Sequence, residues 1–282
     1  MLKKLFACAA ILSVLLCGCA SSNQAEKKSV AATTWPVCQF AQAVAEGTDV
    51  TVTRVISEPV SCLHDYSLSV RQMEAVEKSA AVIISGAGLE DFMKDALAAS
   101  PAVIDASEGI ETRPGEDGTD PHIWMDPENA AAMVRNIAAG LAGLYPGSAD
   151  TFRKNADAYC AKLEALDRYG KDTLKTLSCR ELVTFHDGFA YFAGAFDLTI
   201  AAAIEEEAGS EASAKDLKGI SALVQADAIP AVFVETNGST AAASVISGQT
   251  GAKVYTLDMC LGEDDYLTAM THNIDTIKEA LG

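Results

Sequence analysis

The sequence predicts an α/β protein of two lobes, each a mostly parallel sheet flanked by helices, joined by one long helix. In the first half, short apolar runs alternate with amphipathic helical runs, which is typical of βαβ units. The same alternation returns in the second half. Between the halves lies a helical pattern that is nearly free of Gly and Pro. We therefore predict an N-terminal lobe over 33–145, a linking helix over 146–178 and a C-terminal lobe over 179–282.

The N-terminal residues have the layout of an export signal. Lys3 and Lys4 precede the apolar run 5–16, which is shorter than the roughly 20 residues that cross a membrane. The run ends in Leu16-Cys17-Gly18-Cys19, which looks like the bacterial lipobox. We expect residues 1–18 to be removed as a lipoprotein signal peptide and Cys19 to carry the lipid. A conventional signal peptide cut nearby is the alternative.

The polar residues that follow predict a flexible tether over 19–32. It would hold the protein at the outer face of the cytoplasmic membrane through the lipid.

The strands of the first lobe are predicted from short apolar, β-branched runs. These strands are placed around 29–34 and at 51–56, 80–85 and 102–106, with helices at 68–79 and 89–99. Parallel strands are expected because helical patterns separate them.

The middle of the chain is helical in period over 127–144 and 148–177, with a break at Pro146-Gly147. The second of these helices would be about 45 Å long at 1.5 Å per residue, enough to span both lobes. Strands of the second lobe are predicted at 181–185, 198–204, 231–236 and 253–257.

The charge and the cysteines exclude some classes of function. The formal charge is −18 with no basic cluster, which disfavours nucleic acid binding. Outside the signal and the lipidated position five cysteines remain, with no CxxC pair, so a cysteine-type zinc cluster has no support. They are Cys38, Cys62, Cys160, Cys179 and Cys260. Cys38 and Cys62 lie beside loops at the same end of the predicted sheet and are the first candidates for a disulfide.

Three of the four histidines follow predicted strands. His64 comes after the strand at 51–56, His122 after the strand at 102–106, and His186 ends the strand at 181–185. Open parallel sheets bind ligands at this edge. One such histidine has an ordinary alternative as a hydrogen-bonded loop residue, but three at matching positions predict a divalent metal site. His272 lies in a helical pattern and is predicted to be a surface residue.

Two carboxylates reach the same edge of the second lobe, Asp258 at the end of one strand and Glu235 near the end of another. Either could add a fourth ligand, completing a tetrahedral shell for zinc, whereas a bidentate carboxylate would suit manganese.

Four acidic residues lie beside the histidines in the sequence. Asp120 and Asp126 flank His122, while Asp65 and Asp187 directly follow the other two histidines. Each could accept a hydrogen bond from an imidazole N–H. Asp126-Pro127 is better explained as the start of a helix, and Asp65 and Asp187 equally well as exposed loop acids.

Several segments resemble one family, the metal-binding lipoproteins of bacterial zinc and manganese ABC importers (cluster A-I, zinc-uptake type). They are DPHIWMDPENA around His122, TFHDGFAYFAGAFDL around His186, EEEAGSEASAKDL, VFVET and VYTLD. The resemblance covers most of the mature chain.

The resemblance implies a metal cleft between two lobes, with His64, His122, His186 and Asp258 as ligands. It implies a monomer that delivers Zn²⁺, or Mn²⁺ or Fe²⁺, to a permease and its ATPase. Histidine at 186, where manganese-selective members look as if they carry Glu, favours zinc. The interval 107–119 is short and lacks the histidines that many zinc members carry there. Whether the protein also acts as an adhesin in cell adhesion stays open.

The principal alternative is an enzyme, an exported zinc-dependent hydrolase with Glu235 as general base. Such an enzyme would leave one metal position open to water. The sequence has no HExxH and no GxSxG after a strand, which favours the binding protein. An α/β lipoprotein for a siderophore or corrinoid would need a cleft lined by aromatic or Arg side chains.

Overall fold

A computed structural model describes residues 28–58, 63, 66–115, 118–205, 212–236 and 238–282. The first lobe holds β1 (Ser29–Ala32), α1 (Trp35–Ala45), β2 (Thr51–Arg54), α2 (Val70–Lys78), β3 (Val82–Ile84), α3 (Lys94–Ala99), β4 (Val103–Asp105), β5 (Pro114–Gly115) and β6 (Gly118–Thr119). Strands β1 to β4 form one parallel sheet in the order β2-β1-β3-β4, and β5 and β6 form a short antiparallel hairpin.

The start of the first lobe corrects the predicted tether. Residues 29–32 were assigned to the tether, yet they form β1, whose Val30, Ala31 and Ala32 are fully buried. These apolar side chains are stabilised in the centre of the sheet, between β2 and β3. The strand predicted around 29–34 is therefore observed, and it overlaps the last four residues of the predicted tether.

Helix α4 (Pro127–Leu144) is followed by a 3-10 turn over Pro146–Ser148 and by the long helix α5 (Ala149–Leu174), which lies between the lobes. Helix α4 begins as predicted, because the Asp126 side chain accepts a hydrogen bond from the Glu128 N–H and Pro127 takes the first helical position. The 26 residues of α5 span about 39 Å.

The second lobe contains β7 (Glu181–Thr184), α6 (Ala190–Ala195), β8 (Thr199–Ala203), α7 (Ala214–Ala226), β9 (Ala231–Glu235), α8 (Ala241–Thr250), β10 (Lys253–Leu257) and α9 (Tyr266–Leu281). Its strands pair in parallel as β7 with β8 and β9 with β10. Helix α5 packs on α1 of the first lobe and on α9 of the second, so it contacts both. No helix in the described part of the chain is long and apolar enough to cross a membrane.

One apolar core is shared by both lobes, and a smaller core fills the outer half of the second lobe. Strand β9 separates them: Ala231 and Phe233 face the shared core, while Val232 and Val234 face the smaller one. This alternation is the period of two expected for a strand buried on both faces.

Four of the five cysteines lie in the described part of the chain. Cys38 is buried in the shared core, as are Cys160 and Cys260, while Cys179 is half-buried, and no two of these four are bonded to each other. Burial raises the pKa of Cys38 to about 11, so this thiol stays neutral. The pairing of Cys38 with Cys62 stays a prediction, because a disulfide can also be buried in a core. Cys62 itself lies outside the described residues.

Candidate metal centre

His122 and His186 are the two predicted ligands that the structure brings together. Their Nε2 atoms lie 3.5 Å apart, and the side chains are 10% and 5% exposed. Two nitrogens bound to one tetrahedral zinc ion at about 2.0–2.1 Å would lie roughly 3.4 Å apart. The observed separation is therefore the one that chelation of a single ion requires.

Each imidazole is hydrogen-bonded through its Nδ1 to a carboxylate. Asp120 Oδ1 lies 2.8 Å from His122 Nδ1, and Glu235 Oε1 accepts from His186 Nδ1. These contacts place the ring proton on Nδ1, which leaves the Nε2 lone pair free for an ion. Asp120 thus takes the role predicted for it, and Glu235 contacts the ring of His186.

The segment around His122 is rigid for local reasons. The Asp120 side chain also accepts from the backbone N–H of His122, at 2.9 Å. A 3-10 turn over Ile123–Met125 follows directly, and its three side chains are fully buried. His122 is thus fixed by its own loop.

His186 is positioned by tertiary structure instead. It follows β7, whereas its partner Glu235 is the last residue of β9, a strand that contacts β7. Asp187, the next residue, is exposed, which is the surface alternative predicted for it.

Asp258 directly follows β10 and is buried. Its Oδ1 accepts from the Cys260 N–H at 2.7 Å, and its backbone N–H and C=O are both bound by the Asn273 side chain at 2.7 Å. Burial raises the pKa of the Asp258 carboxyl, and the hydrogen bond from Cys260 opposes that rise. His272 on α9 is exposed, as predicted.

Among the residues that the structure describes, no three His, Cys, Asp or Glu side chains converge closely enough to hold an ion. The centre within this part of the chain is the pair His122 and His186.

His64, together with Asp65, lies outside the described residues, but the chain on both sides of it is anchored. Leu63 is buried in the shared core, and its carbonyl accepts from the Tyr66 N–H at 3.1 Å. Gln72 caps the start of α2 and donates to the hydroxyl of Tyr66 at 2.6 Å. The ends of this segment therefore belong to the first lobe.

Two neighbours of the site were not predicted from the sequence. A methyl group added at Gly188 would lie 2.6 Å from His186 Nε2 and 2.6 Å from Met259 Cε. Met259 therefore packs beside the second imidazole, and Gly188 leaves room for both. The sequence offers only one sign of them, which is that Gly188 lies two residues after His186 and Met259 directly follows Asp258.

Comparison with known proteins adds a family match. The family model described as zinc-uptake complex component A, periplasmic, matches residues 30–280. The chain is 27% identical to the zinc-binding lipoprotein AdcA of Streptococcus pneumoniae, over 96% of this chain and 59% of AdcA. It is 28% identical to the iron-binding protein YfeA of Yersinia pestis, over 93% and 88% of the two chains. It is 27% identical to the manganese-binding lipoprotein MntA of Halalkalibacterium halodurans, over 77% of each.

Solved structures share the fold. A crystal structure of ZnuA superposes with a TM-score of 0.81 at 29% identity, covering 89% of this chain and 98% of the other. The laminin-binding protein Lmb of Streptococcus agalactiae, described as bifunctional with adhesin and metal transporting activity, gives a TM-score of 0.82 at 26% identity, covering 90% and 99%. The two-lobed α/β architecture predicted from the sequence is confirmed.

Proposed function

Since this chain belongs to the zinc-uptake complex component A family, we propose that it is the exported substrate-binding protein of an ABC importer. It captures a divalent metal ion between its lobes and delivers the ion to a permease powered by its ATPase. The observation that carries the proposal is the pair of Nε2 atoms 3.5 Å apart, each on an imidazole supported by a buried carboxylate.

The proposed ligands are His122, His186, Asp258 and His64. Asp258 is supported by its position after β10, at the same sheet edge as Glu235, which contacts His186. His64 is supported by the anchored chain on either side of it. Four protein ligands close a tetrahedral shell, which suits an ion that is carried and not used in catalysis.

The geometry of Glu235 speaks against a hydrolase. A general base must reach a metal-bound water or a substrate proton. The Glu235 carboxylate is instead buried and bonded to His186 Nδ1. We therefore assign Glu235 to orienting His186.

Zinc is the proposed ion, with manganese next and Fe²⁺ third. Two imidazoles that are hydrogen-bonded to carboxylates suit zinc. The preference for zinc over manganese also agrees with the presence of histidine at position 186. Relatives named for zinc, manganese and iron show that the family fold accommodates all three.

The remaining proposals concern the arrangement outside the cleft. We propose a signal peptide over 1–18, a lipid on Cys19, and a tether that ends where β1 begins, at Ser29. The protein would act as a monomer at the outer face of the cytoplasmic membrane. We propose that the first lobe ends at residue 145 and that the second lobe begins at residue 179, with α5 between them.

Competitive titration of the metal-free mature protein with Zn²⁺, Mn²⁺ and Fe²⁺ tests the proposal. We expect one ion per chain, with zinc bound most tightly, and a loss of binding in His186→Ala. His272→Ala is the comparison, because this exposed histidine on α9 acts on Asp258 only through its charge and should change affinity far less. Manganese outcompeting zinc would overturn the metal assignment. Unchanged affinity in His186→Ala would overturn the ligand set.

A further inference from the structure

The loop that carries Asp258 belongs to the second lobe by sequence, but side chains of the first lobe hold its backbone. Trp124, two residues after His122, donates from its indole Nε1 to the Met259 carbonyl at 2.9 Å. Trp35 on α1 donates from Nε1 to the Asp264 carbonyl at 2.8 Å. The position of this loop is therefore set across the cleft.

Gln39 and Tyr266 extend this attachment. Gln39 donates from Nε2 to the Asp264 carbonyl and accepts from the Tyr266 N–H, both at 2.8 Å. The Tyr266 hydroxyl donates to the Trp124 carbonyl at 2.6 Å. The loop is thus bound to the first lobe at both its beginning and its end.

Arg54, the last residue of β2, contacts two loops at once. It donates from Nη2 to the Leu261 carbonyl at 3.1 Å and from Nη1 to the Gly262 carbonyl at 3.3 Å. Its Nε donates to the Ile56 carbonyl, where the chain begins the segment that leads to His64. One planar guanidinium thereby joins the loop that follows Asp258 to the end of β2.

We infer that Arg54 is a positioning residue of the metal site, which fixes the loop of Asp258 against β2 of the first lobe. This inference rests on the proposed function. The guanidinium suits the role because its donors have a fixed planar geometry and it stacks at 4.8 Å over the Trp35 ring. A lysine has one flexible ammonium and cannot bind three carbonyls in this arrangement.

A double-mutant cycle with zinc as the probe tests whether Arg54 acts through Asp258. We expect Arg54→Met to weaken zinc binding about tenfold, the lower end of the range for residues that orient ligands. In an Asp258→Asn background the same substitution should have no further effect. Arg54→Lys should recover only part of the loss. Arg153→Met is the control, because Arg153 is exposed and pairs with Asp150 on the same helix.

Additive losses in the cycle would overturn the inference, as would wild-type affinity in Arg54→Lys, since charge alone would then suffice. If Asp258→Asn itself binds zinc normally, the proposed ligand set fails instead. Hydrogen exchange of the metal-free protein then tests the attachment separately. Faster exchange of the 259–265 amides in Arg54→Met supports it, and unchanged exchange overturns it.

Discussion

His122 and His186 occupy matching places in the two lobes, but they are held in different ways. Both are buried, both bond a carboxylate through Nδ1, and their Nε2 atoms face each other. The partner of His122 is two residues away in the same loop, whereas the partner of His186 is 49 residues away on another strand.

His122 is therefore held by a residue of its own loop, whereas His186 is held by a residue that only the tertiary structure brings near. Asp120 holds His122 through the ring and through its backbone N–H, so the side chain is only one of two attachments. Glu235 reaches His186 only if β7 and β9 pack correctly. We therefore expect the second half of the site to be more sensitive to substitution than the first.

Removal of either imidazole gives the largest expected effect. His122→Ala and His186→Ala should each weaken zinc binding by roughly 10² to 10³-fold, since about 10–16 kcal/mol is shared among four ligands in small zinc sites. Their effects on the metal-free fold should differ. His186→Ala leaves Glu235 buried without its partner and should cost about 1–3 kcal/mol of unfolding free energy. His122→Ala keeps the backbone bond to Asp120 and should cost less.

Urea unfolding in the presence of a chelator measures this contrast, and zinc titration measures the affinities. Equal destabilisation by the two substitutions would show that the two supports are equivalent.

Glu90 extends the comparison to a buried carboxylate without an imidazole. It accepts from the Thr33 hydroxyl at 2.6 Å and from the Ser85 and Gly86 N–H groups at 2.8 and 3.0 Å. Burial raises its pKa from 4.5 to about 7. The folded state binds this proton more tightly than the unfolded state does. The contribution of Glu90 to the free energy of unfolding should therefore fall by about 3 kcal/mol as pH rises from 4.5 to 7.

Glu90→Gln should remove this part of the pH dependence, because it replaces the ionisable group with a neutral one. Denaturant midpoints of both proteins across that pH range provide the measurement. A wild-type curve and a Glu90→Gln curve that remain parallel would contradict the expectation.

The supporting carboxylates should have intermediate effects. Both substitutions keep an oxygen that can accept the imidazole N–H but remove its charge. Glu235→Gln should weaken zinc binding by about 10 to 100-fold, and Asp120→Asn by less, because residue 120 also holds the backbone N–H of His122. Isothermal titration of both variants against zinc compares them directly. A greater loss in Asp120→Asn would reverse the proposed order of local and tertiary support.

The smallest expected effect comes from packing beside His186. Gly188→Ala places a methyl 2.6 Å from His186 Nε2 and 2.6 Å from Met259 Cε, so both side chains have to shift, and we expect a several-fold loss of affinity from the displaced imidazole. Gly143→Ala is the matched control, because a methyl there meets no atom within 4 Å. Equal zinc affinity in both variants would show that Gly188 is not needed for space.

Local sequence predicted the elements and half of the candidate site. Helix α4 was predicted with its bounds and its Asp126 cap, because capping acts within a few residues. The support of His122 by Asp120 was likewise foreseen as an alternative, since both lie in one loop. The contact of Glu235 with His186 could be foreseen only as a shared sheet edge, and Arg54 not at all, because both depend on distant segments meeting.

The predicted tether ran four residues into the strand that the sequence also predicts around 29–34, and the structure shows this strand as β1. The apolar residues of β1 face a core whose other members come from later in the chain, so the composition near the tether does not mark where the strand begins.

The core that runs through both lobes has a consequence for how the chain can be divided. Phe40 on α1 packs edge-to-face on both Tyr159 of α5 and Tyr266 of α9, with ring centroids 5.8 and 5.0 Å apart. A fragment ending after residue 145 would expose the apolar face that these rings cover, so we expect the two lobes to unfold in one cooperative transition. The outer half of the second lobe has its own apolar cluster, so we expect its amides to exchange before those of the shared core. Circular permutation between the lobes should not be tolerated.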